Sequence, residues 1–235
     1  RGADLSTADL CARLADLVRR GERCVVANAN VHAMNLAWKL DWFRRFLNQS
    51  AFVFCDGYGV VVAARLLGRR LCNRNTYADL MGSLAAMARA HGFTLFFLGA
   101  APGVAELAAQ RLRCRCPGVR VAGVLHGYFD KTPGCRENEQ VIAAINSCRP
   151  DILIVGFGMP LQERWLADNL ARLDVKVVMP GGAVFDYLSG SVRRAPRWMT
   201  QSGLEWLGRL LIEPRRLWRR YLIGNPLFLL RVLRS

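Results

Sequence analysis

The sequence predicts an α/β fold: a Rossmann-like, mostly parallel sheet with helices on both faces, followed by a C-terminal basic helical appendage. Three observations carry this. Six short, strongly apolar runs are separated by segments of helical period; the turns after those runs are rich in glycine; and from about Val192 strand patterns stop while Arg and Trp accumulate. Strands that alternate with helices form parallel sheets covered on both faces, so each strand is apolar along its length rather than on one side.

In chain order, a helical stretch over 8–20 (ADLCARLADLVRR) leads into a strand at 24–27 (CVVA). A second strand at 51–55 (AFVFC) precedes a helix over 77–92, and a third at 94–99 (TLFFLG) precedes one over 104–113. The fourth strand, 119–124 (VRVAGV), precedes a helix over 138–149; the fifth, 151–156 (DILIVG), precedes one over 161–173; the sixth is 175–180 (VKVVMP). Pro102 and Pro160 are placed to open the helices after the third and fifth strands. The expected division is an α/β core over 1–191 and the appendage over 192–235.

At 235 residues and 52% hydrophobic, the chain is large enough for a full core. Its 33 Lys and Arg against 18 Asp and Glu leave +15. The excess is uneven: Arg193 to Ser235 holds ten Arg and two Glu, +8 in 43 residues. Such a field predicts an anionic partner, whether nucleic acid, a phospholipid surface or a phosphorylated substrate. In a helix opened by Pro214, Leu217, Trp218, Tyr221 and Leu222 form one stripe with Arg215, Arg216, Arg219 and Arg220 beside it, the pattern of a helix lying on anionic lipid. No apolar run reaches the roughly 18 residues of a spanning helix, so contact with a membrane is expected without a crossing. The eight cysteines lack the spacing of a disulfide framework and read as reduced thiols of a cytoplasmic protein. Cys114 and Cys116 with His126 lack a fourth ligand, and no metal site is expected.

Open α/β sheets bind ligands beyond the carboxyl ends of their strands. The residues to inspect are therefore Asn28 to Asn30, Asp56 to Gly59, the turn from Gly99, the turn from Gly156 to Pro160, and Gly181 to Asp186. Gly99, Gly156 and Gly158 let the backbone approach a ligand closely. Asp56 ends a buried strand, where an unpaired charge is costly. Helix capping before Gly57 is one use for it, and a functional carboxylate is the other.

Several chemistries are excluded. Gly57-x-Gly59 places Val62 where a dinucleotide fingerprint needs its third glycine, and Arg74 and Asn75 stand where the acidic residue belongs. No Walker A motif, Gly-x-Ser-x-Gly elbow or His-Glu-x-x-His occurs. No Asp-x-Asp occurs either, so a nucleotide diphosphate would be neutralised by arginines and helix N-termini rather than by a carboxylate-held cation.

Asn30-Val-His-Ala-Met-Asn, CDGYGVVVAARLLG, FFLGAAPGVAE, HGYFD, ENEQVIAAIN, RPDILIVGFGMPLQERW, GGAVFDYLSGSVRRAPRWM and GLEWLGRLLIEPRRLWRRYLIGNPLF together resemble the WecG/TagA/CpsF family of bacterial glycosyltransferases. The resemblance covers about residues 5 to 229. It implies inverting transfer of a sugar (N-acetylmannosamine, its uronic acid or glucose) from a UDP-sugar to a polyprenyl-diphosphate-linked saccharide. That reaction belongs to teichoic acid, common antigen or exopolysaccharide synthesis, at the inner face of the cell membrane, with the protein held peripherally. No cofactor or metal and no nucleic acid partner are implied, and a homo-oligomer is compatible with the reading. A non-catalytic module whose basic tail grips nucleic acid or anionic lipid is the alternative.

Residue by residue, the resemblance makes Asp56 the base that takes the acceptor's proton. Gly57 and Gly59 would leave room for sugar beside it. Arg74 and Gln162 would contact donor or diphosphate, Asp186 the nucleotide end, and Arg209, Arg216 and Arg219 would close over the donor. Asn30 matches the family's Thr-Pro-Asn motif and would bind donor or acceptor, while Asn28 stands in place of the Thr and shifts specificity.

Overall fold

The structure, a computed structural model describing residues 2–234, is built on seven parallel strands: β1 (Gly2–Ala3), β2 (Cys24–Ala29), β3 (Phe52–Cys55), β4 (Thr94–Gly99), β5 (Arg120–Leu125), β6 (Ile152–Gly156) and β7 (Val177–Pro180). Their order in the sheet is β1-β3-β2-β7-β6-β4-β5, every adjacent pair parallel. The helices are α1 (Thr7–Arg20), α2 (Val31–Lys39), α3 (Asp41–Gln49), α4 (Tyr58–Leu66), α5 (Tyr77–His91), α6 (Val104–Arg115), α7 (Arg136–Cys148), α8 (Leu161–Asn169) and α9 (Val184–Ser189). The appendage adds α10 (Arg197–Gln201), α11 (Glu205–Ile212), α12 (Pro214–Trp218), a π-helical turn at Arg219–Ile223, and α13 (Gly224–Leu233).

Side chains alternate between the two faces of each central strand. On β4, Leu95 and Phe97 enter one buried layer with α1, α5, α6 and α9; Phe96 and Leu98 enter the other with α3, α7 and α8. Ile152 and Ile154 against Leu153 and Val155 do the same on β6. This two-sided burial is why these strands read as unbroken apolar runs, and each fully buried side chain contributes roughly 1.5–3 kcal/mol.

Local signals set the helix ends. Ser6 Oγ accepts from Asp9 N–H at 3.1 Å to start α1, and Gly21 ends it in the left-handed region at φ 71°. The edge strand β5 has two of its carbonyls engaged, Val121 by Arg113 and Ala122 by the Cys148 thiol, which blunts the open side of the sheet. All eight cysteines are free thiols. Beyond the core, α13 packs against α2 and α4, so the appendage folds back over the carboxyl end of the sheet.

Candidate active site

β2 and β3 lie in register with Ala29 opposite Cys55, so the residues after them emerge side by side. Asp56 N–H donates to the Ala29 carbonyl at 2.9 Å, which fixes the carboxylate at the strand end. Asn28 Nδ2 donates to Asp56 Oδ2 at 2.8 Å, and Asn30 supplies a further side-chain hydrogen bond. Asn30 also caps α2, its Oδ1 accepting from Ala33 N–H at 3.1 Å. Asp56 itself caps nothing: Gly57 is the N-cap of α4, and no side chain serves that end.

Burial pushes the Asp56 carboxyl up to about 6. The Asn28 hydrogen bond opposes this, the Glu205 carboxylate adds to it, and Arg209 and Asn30 oppose it more weakly. A carboxylate with that affinity for a proton is poised to take one near neutral pH.

The two glycines beside Asp56 also allow close packing against α2. A Cβ at Gly57 would lie 2.9 Å from Asn30 Cβ, and one at Gly59 would lie 2.4 Å from Val31 Cγ2. The start of α2 thus packs against them on that side, while both glycines also border the cavity in front of Asp56.

A cavity of roughly 390 Å³ opens in front of Asp56. It is lined by the turns after β2, β3, β6 and β7 and, from the other side, by the appendage. Of the residues singled out from sequence, Asn28, Asn30, Asp56, Arg74, Gly158, Arg209 and Arg216 line it. Gly99, Gly156, Gln162, Asp186 and Arg219 do not border it. Gly99 and Gly156 face one another across β4 and β6, where a Cβ on Gly99 would fall 2.5 Å from the Gly156 carbonyl oxygen. At Gly99 this permits close strand approach, and at Gly156 the missing side chain makes room for the Gly182 carbonyl and the Phe185 ring. Asp186 lies half-buried in the first turn of α9 with its carboxyl raised by burial, while Arg219 is exposed with its guanidinium over the Trp218 ring at 5.1 Å.

Gln162 ties the cavity wall together. Its Oε1 accepts from Gly158 N–H at 3.1 Å and Gly182 N–H at 3.0 Å, joining the turns after β6 and β7, and its Nε2 donates to Glu163 Oε1 at 2.8 Å. Gln162→Ala strands both backbone donors, so it is expected to cost about 1–3 kcal/mol. Chemical denaturation measures that loss, and kcat falls with it as the two turns lose their spacing.

The appendage is clasped to the core by ions. Arg74 Nη1 meets Glu205 Oε2 at 2.8 Å and its Nη2 donates to the Thr200 carbonyl at 3.1 Å. Arg194 meets Glu205 at 3.4 Å and Asp79 at 2.6 Å, and hydrogen bonds from Arg194 hold the Asp79 carboxyl down to about 2. Arg74, expected on the donor, thus also has two of its nitrogens engaged in holding the appendage.

Within the appendage, the anticipated stripe divides. Leu217 and Tyr221 are buried, whereas Trp218 and Leu222 face outward, 42% and 56% exposed. Arg220 and Tyr221 line the cavity, and Arg216 borders its rim with its side chain 61% exposed and paired with Glu213 at 3.0 Å. Arg209 lies over the Tyr187 ring and Arg220 over the Tyr221 ring, each at 5.5 Å from the centroid, which sets their direction.

Sequence reasoning missed several lining residues. His32 on α2 is driven down to about 4 by burial and then by the Arg220 charge, and is neutral at physiological pH. Tyr77, Glu205, Trp206 and Arg220 complete the wall. Glu163, just behind it, is buried with its carboxyl raised to about 7 by burial. The signal for Arg220 was present in the Arg-Arg pair at 219–220, but its choice over Arg219 depends on the helix phase. Among the described residues, no cluster of three His, Cys, Asp or Glu side chains is placed to hold a metal ion.

Fold and cavity together define a Rossmann-like α/β protein with a cavity at the carboxyl edge of the sheet, covered by a basic appendage. The chain matches the model of the Glycosyl transferase WecG/TagA/CpsF family over residues 2–235 and belongs to that family. It is similar to proteins of Staphylococcus aureus strains MRSA252 and COL, each named N-acetylglucosaminyldiphosphoundecaprenol N-acetyl-beta-D-mannosaminyltransferase. Each is 30% identical over 210 residues, covering 89% of this chain and 80% of the relative.

Proposed function

We propose that this protein is an inverting glycosyltransferase that moves a sugar from a UDP-sugar to a saccharide carried on polyprenyl diphosphate, in cell-surface polysaccharide synthesis. The observation that carries the reading is the pairing of Asp56, its carboxyl raised to about 6, with Arg209, Arg216 and Arg220 around one cavity. The acceptor hydroxyl oxygen attacks the anomeric carbon as the bond from that carbon to the UDP oxygen breaks, and the hydroxyl proton passes to Asp56. Attack from the face opposite UDP inverts the anomeric centre. UDP departs as the anion, its charge met by the arginines, so neither a second carboxylic acid nor a divalent cation is required.

The names of the relatives support N-acetylmannosamine as the sugar and an N-acetylglucosaminyl-diphospho lipid as the acceptor. Leu211 and Leu233, 71% and 70% exposed, stand among arginines on the appendage, together with outward-facing Trp218 and Leu222. This surface supports peripheral docking on the inner face of the membrane through lipid headgroups. No helix among the described residues is long and apolar enough to cross a membrane.

The test is a panel of UDP-sugars incubated with a synthetic polyprenyl-diphosphate acceptor in the presence of a chelator. Product with inverted anomeric configuration is expected from UDP-N-acetylmannosamine. UDP at about 100 times its Kd should also raise the melting temperature by an amount equivalent to about 2.7 kcal/mol. Absence of both product and thermal shift across the panel would rule the reading out.

A further inference from the structure

Among the described residues, five buried side-chain atoms lack a hydrogen-bond partner: Asn28 Oδ1, Tyr77 Oη, Glu163 Oε2, Arg209 Nε and Arg220 Nε. Four of these residues line the cavity in front of Asp56, and the fifth, Glu163, accepts from Gln162 behind the wall. A polar atom removed from water without a partner costs free energy, and folded proteins keep few of them. Their concentration at one place marks hydrogen-bonding capacity reserved for a ligand.

The two arginines are accounted for by a diphosphate; the acceptor on Asn28 is not. Phosphate oxygens only accept, so they would leave Asn28 Oδ1 unmet, and Asp56 would repel them. Asn28 is 4% exposed, and its Nδ2 is committed to Asp56 at 2.8 Å, which fixes Oδ1 as the free acceptor. Tyr77 is 5% exposed and opens α5 directly after its cap, Thr76. Its ring packs edge-on against Phe54 of β3, centroids 5.7 Å apart, which fixes the direction of the hydroxyl. Burial, and then the Asp56 and Glu163 charges, hold the phenol well above its usual range, so it keeps its proton and serves as a donor.

We infer that Tyr77 and Asn28 read the sugar of the donor: the Tyr77 hydroxyl donates to, and Asn28 Oδ1 accepts from, a hydroxyl or acetamido substituent held beside Asp56. A hydroxyl meets both with one oxygen; an acetamido group meets them with its carbonyl and its N–H. The inference rests on the glycosyl-transfer reading, because that reaction places the reacting sugar, rather than the base of the nucleotide, next to Asp56. Tyr77 is then a specificity-determining residue, since a site built to hydrogen-bond a substrate group discriminates strongly against analogues that lack it.

Tyr77→Phe tests this in the full chain, with calorimetric binding of UDP, UDP-N-acetylmannosamine and UDP-glucose beside transfer to the synthetic acceptor. The variant is expected to bind UDP within about twofold of wild type. It should bind the UDP-sugar that is turned over about tenfold more weakly, and lose about 10–100-fold in kcat/KM. Its melting temperature should not fall, because the hydroxyl has no protein partner to lose. Unchanged affinity and turnover for every UDP-sugar overturn the inference and leave glycosyl transfer standing. Equal weakening of UDP itself, or a melting temperature several degrees lower with uniform loss of turnover, overturns it in favour of base recognition or a structural role. Tyr77-dependent binding of a UDP-sugar without any product upholds the inference and removes the transfer reading.

Discussion

Asp56→Asn is expected to remove sugar transfer while making the folded protein more stable. The loss of the base should lower kcat by about 10²–10⁴-fold, with UDP affinity retained. The stability change follows from the sign of the titration. The carboxyl titrates at about 6 in the fold against an ordinary 3.8, so between these values the folded chain holds a proton that the unfolded chain has released. Stability therefore declines as pH rises through that window, and the deficit is complete above about 6. Asparagine never ionises and can still accept from Asn28 Nδ2, so at neutral pH the variant should gain on the order of 1–3 kcal/mol. Thermal unfolding of the two proteins from pH 3 to 8 checks this: the curves should converge near pH 4 and separate by several degrees above pH 6. Wild-type kcat/KM should climb over the same upper limb, with an apparent pKa near 6. Equal stability at pH 8, or retained turnover, would contradict the assignment.

Arg220→Ala is expected to reduce kcat by about 10²–10³-fold, because it removes a cavity-lining guanidinium that the proposed reaction sets against the leaving diphosphate. Arg219→Ala, one residue earlier, should change kcat less than about threefold on a detergent-solubilised acceptor, since that side chain is exposed and stacked on Trp218. Side-by-side steady-state kinetics separate the two. A reversed order of severity would mean that the inward face of the appendage has been assigned to the wrong arginine.

That pair also shows where the sequence stops being legible. The six anticipated strands correspond to β2 through β7 because two-sided burial demands unbroken apolar runs such as TLFFLG and DILIVG. β1 escaped because Gly2 and Ala3 carry no run; only their pairing with Val53 and Phe54 makes them a strand. Asp56 and Asn28 were visible as strand-end residues, since carboxyl-end turns are where such sheets place ligands. The appendage defied the same logic. One apolar stripe laid on lipid assumes an uninterrupted helix, but a π-helical turn at Arg219–Ile223 resets the phase, so Leu217 and Tyr221 turn inward while Trp218 and Leu222 face outward. Tyr77 likewise looked like the first residue of an amphipathic helix; that its hydroxyl ends unpartnered is a property of three-dimensional neighbours.

The missing side chains at Gly57 and Gly59 allow the loop bearing Asp56 and the opening turn of α2 to interlock at backbone distance. Asp56, Asn30 and His32 therefore belong to one rigid body, and enlarging either glycine would displace all three. A lineage that changed its sugar could not do so through this loop without losing the chemistry. Sugar preference then falls to Tyr77 of α5, across the cavity, whose side chain can be exchanged while Asp56 stays still. A redesign of sugar specificity would therefore start at Tyr77 and leave the interlocked turn of Gly57 and Gly59 untouched.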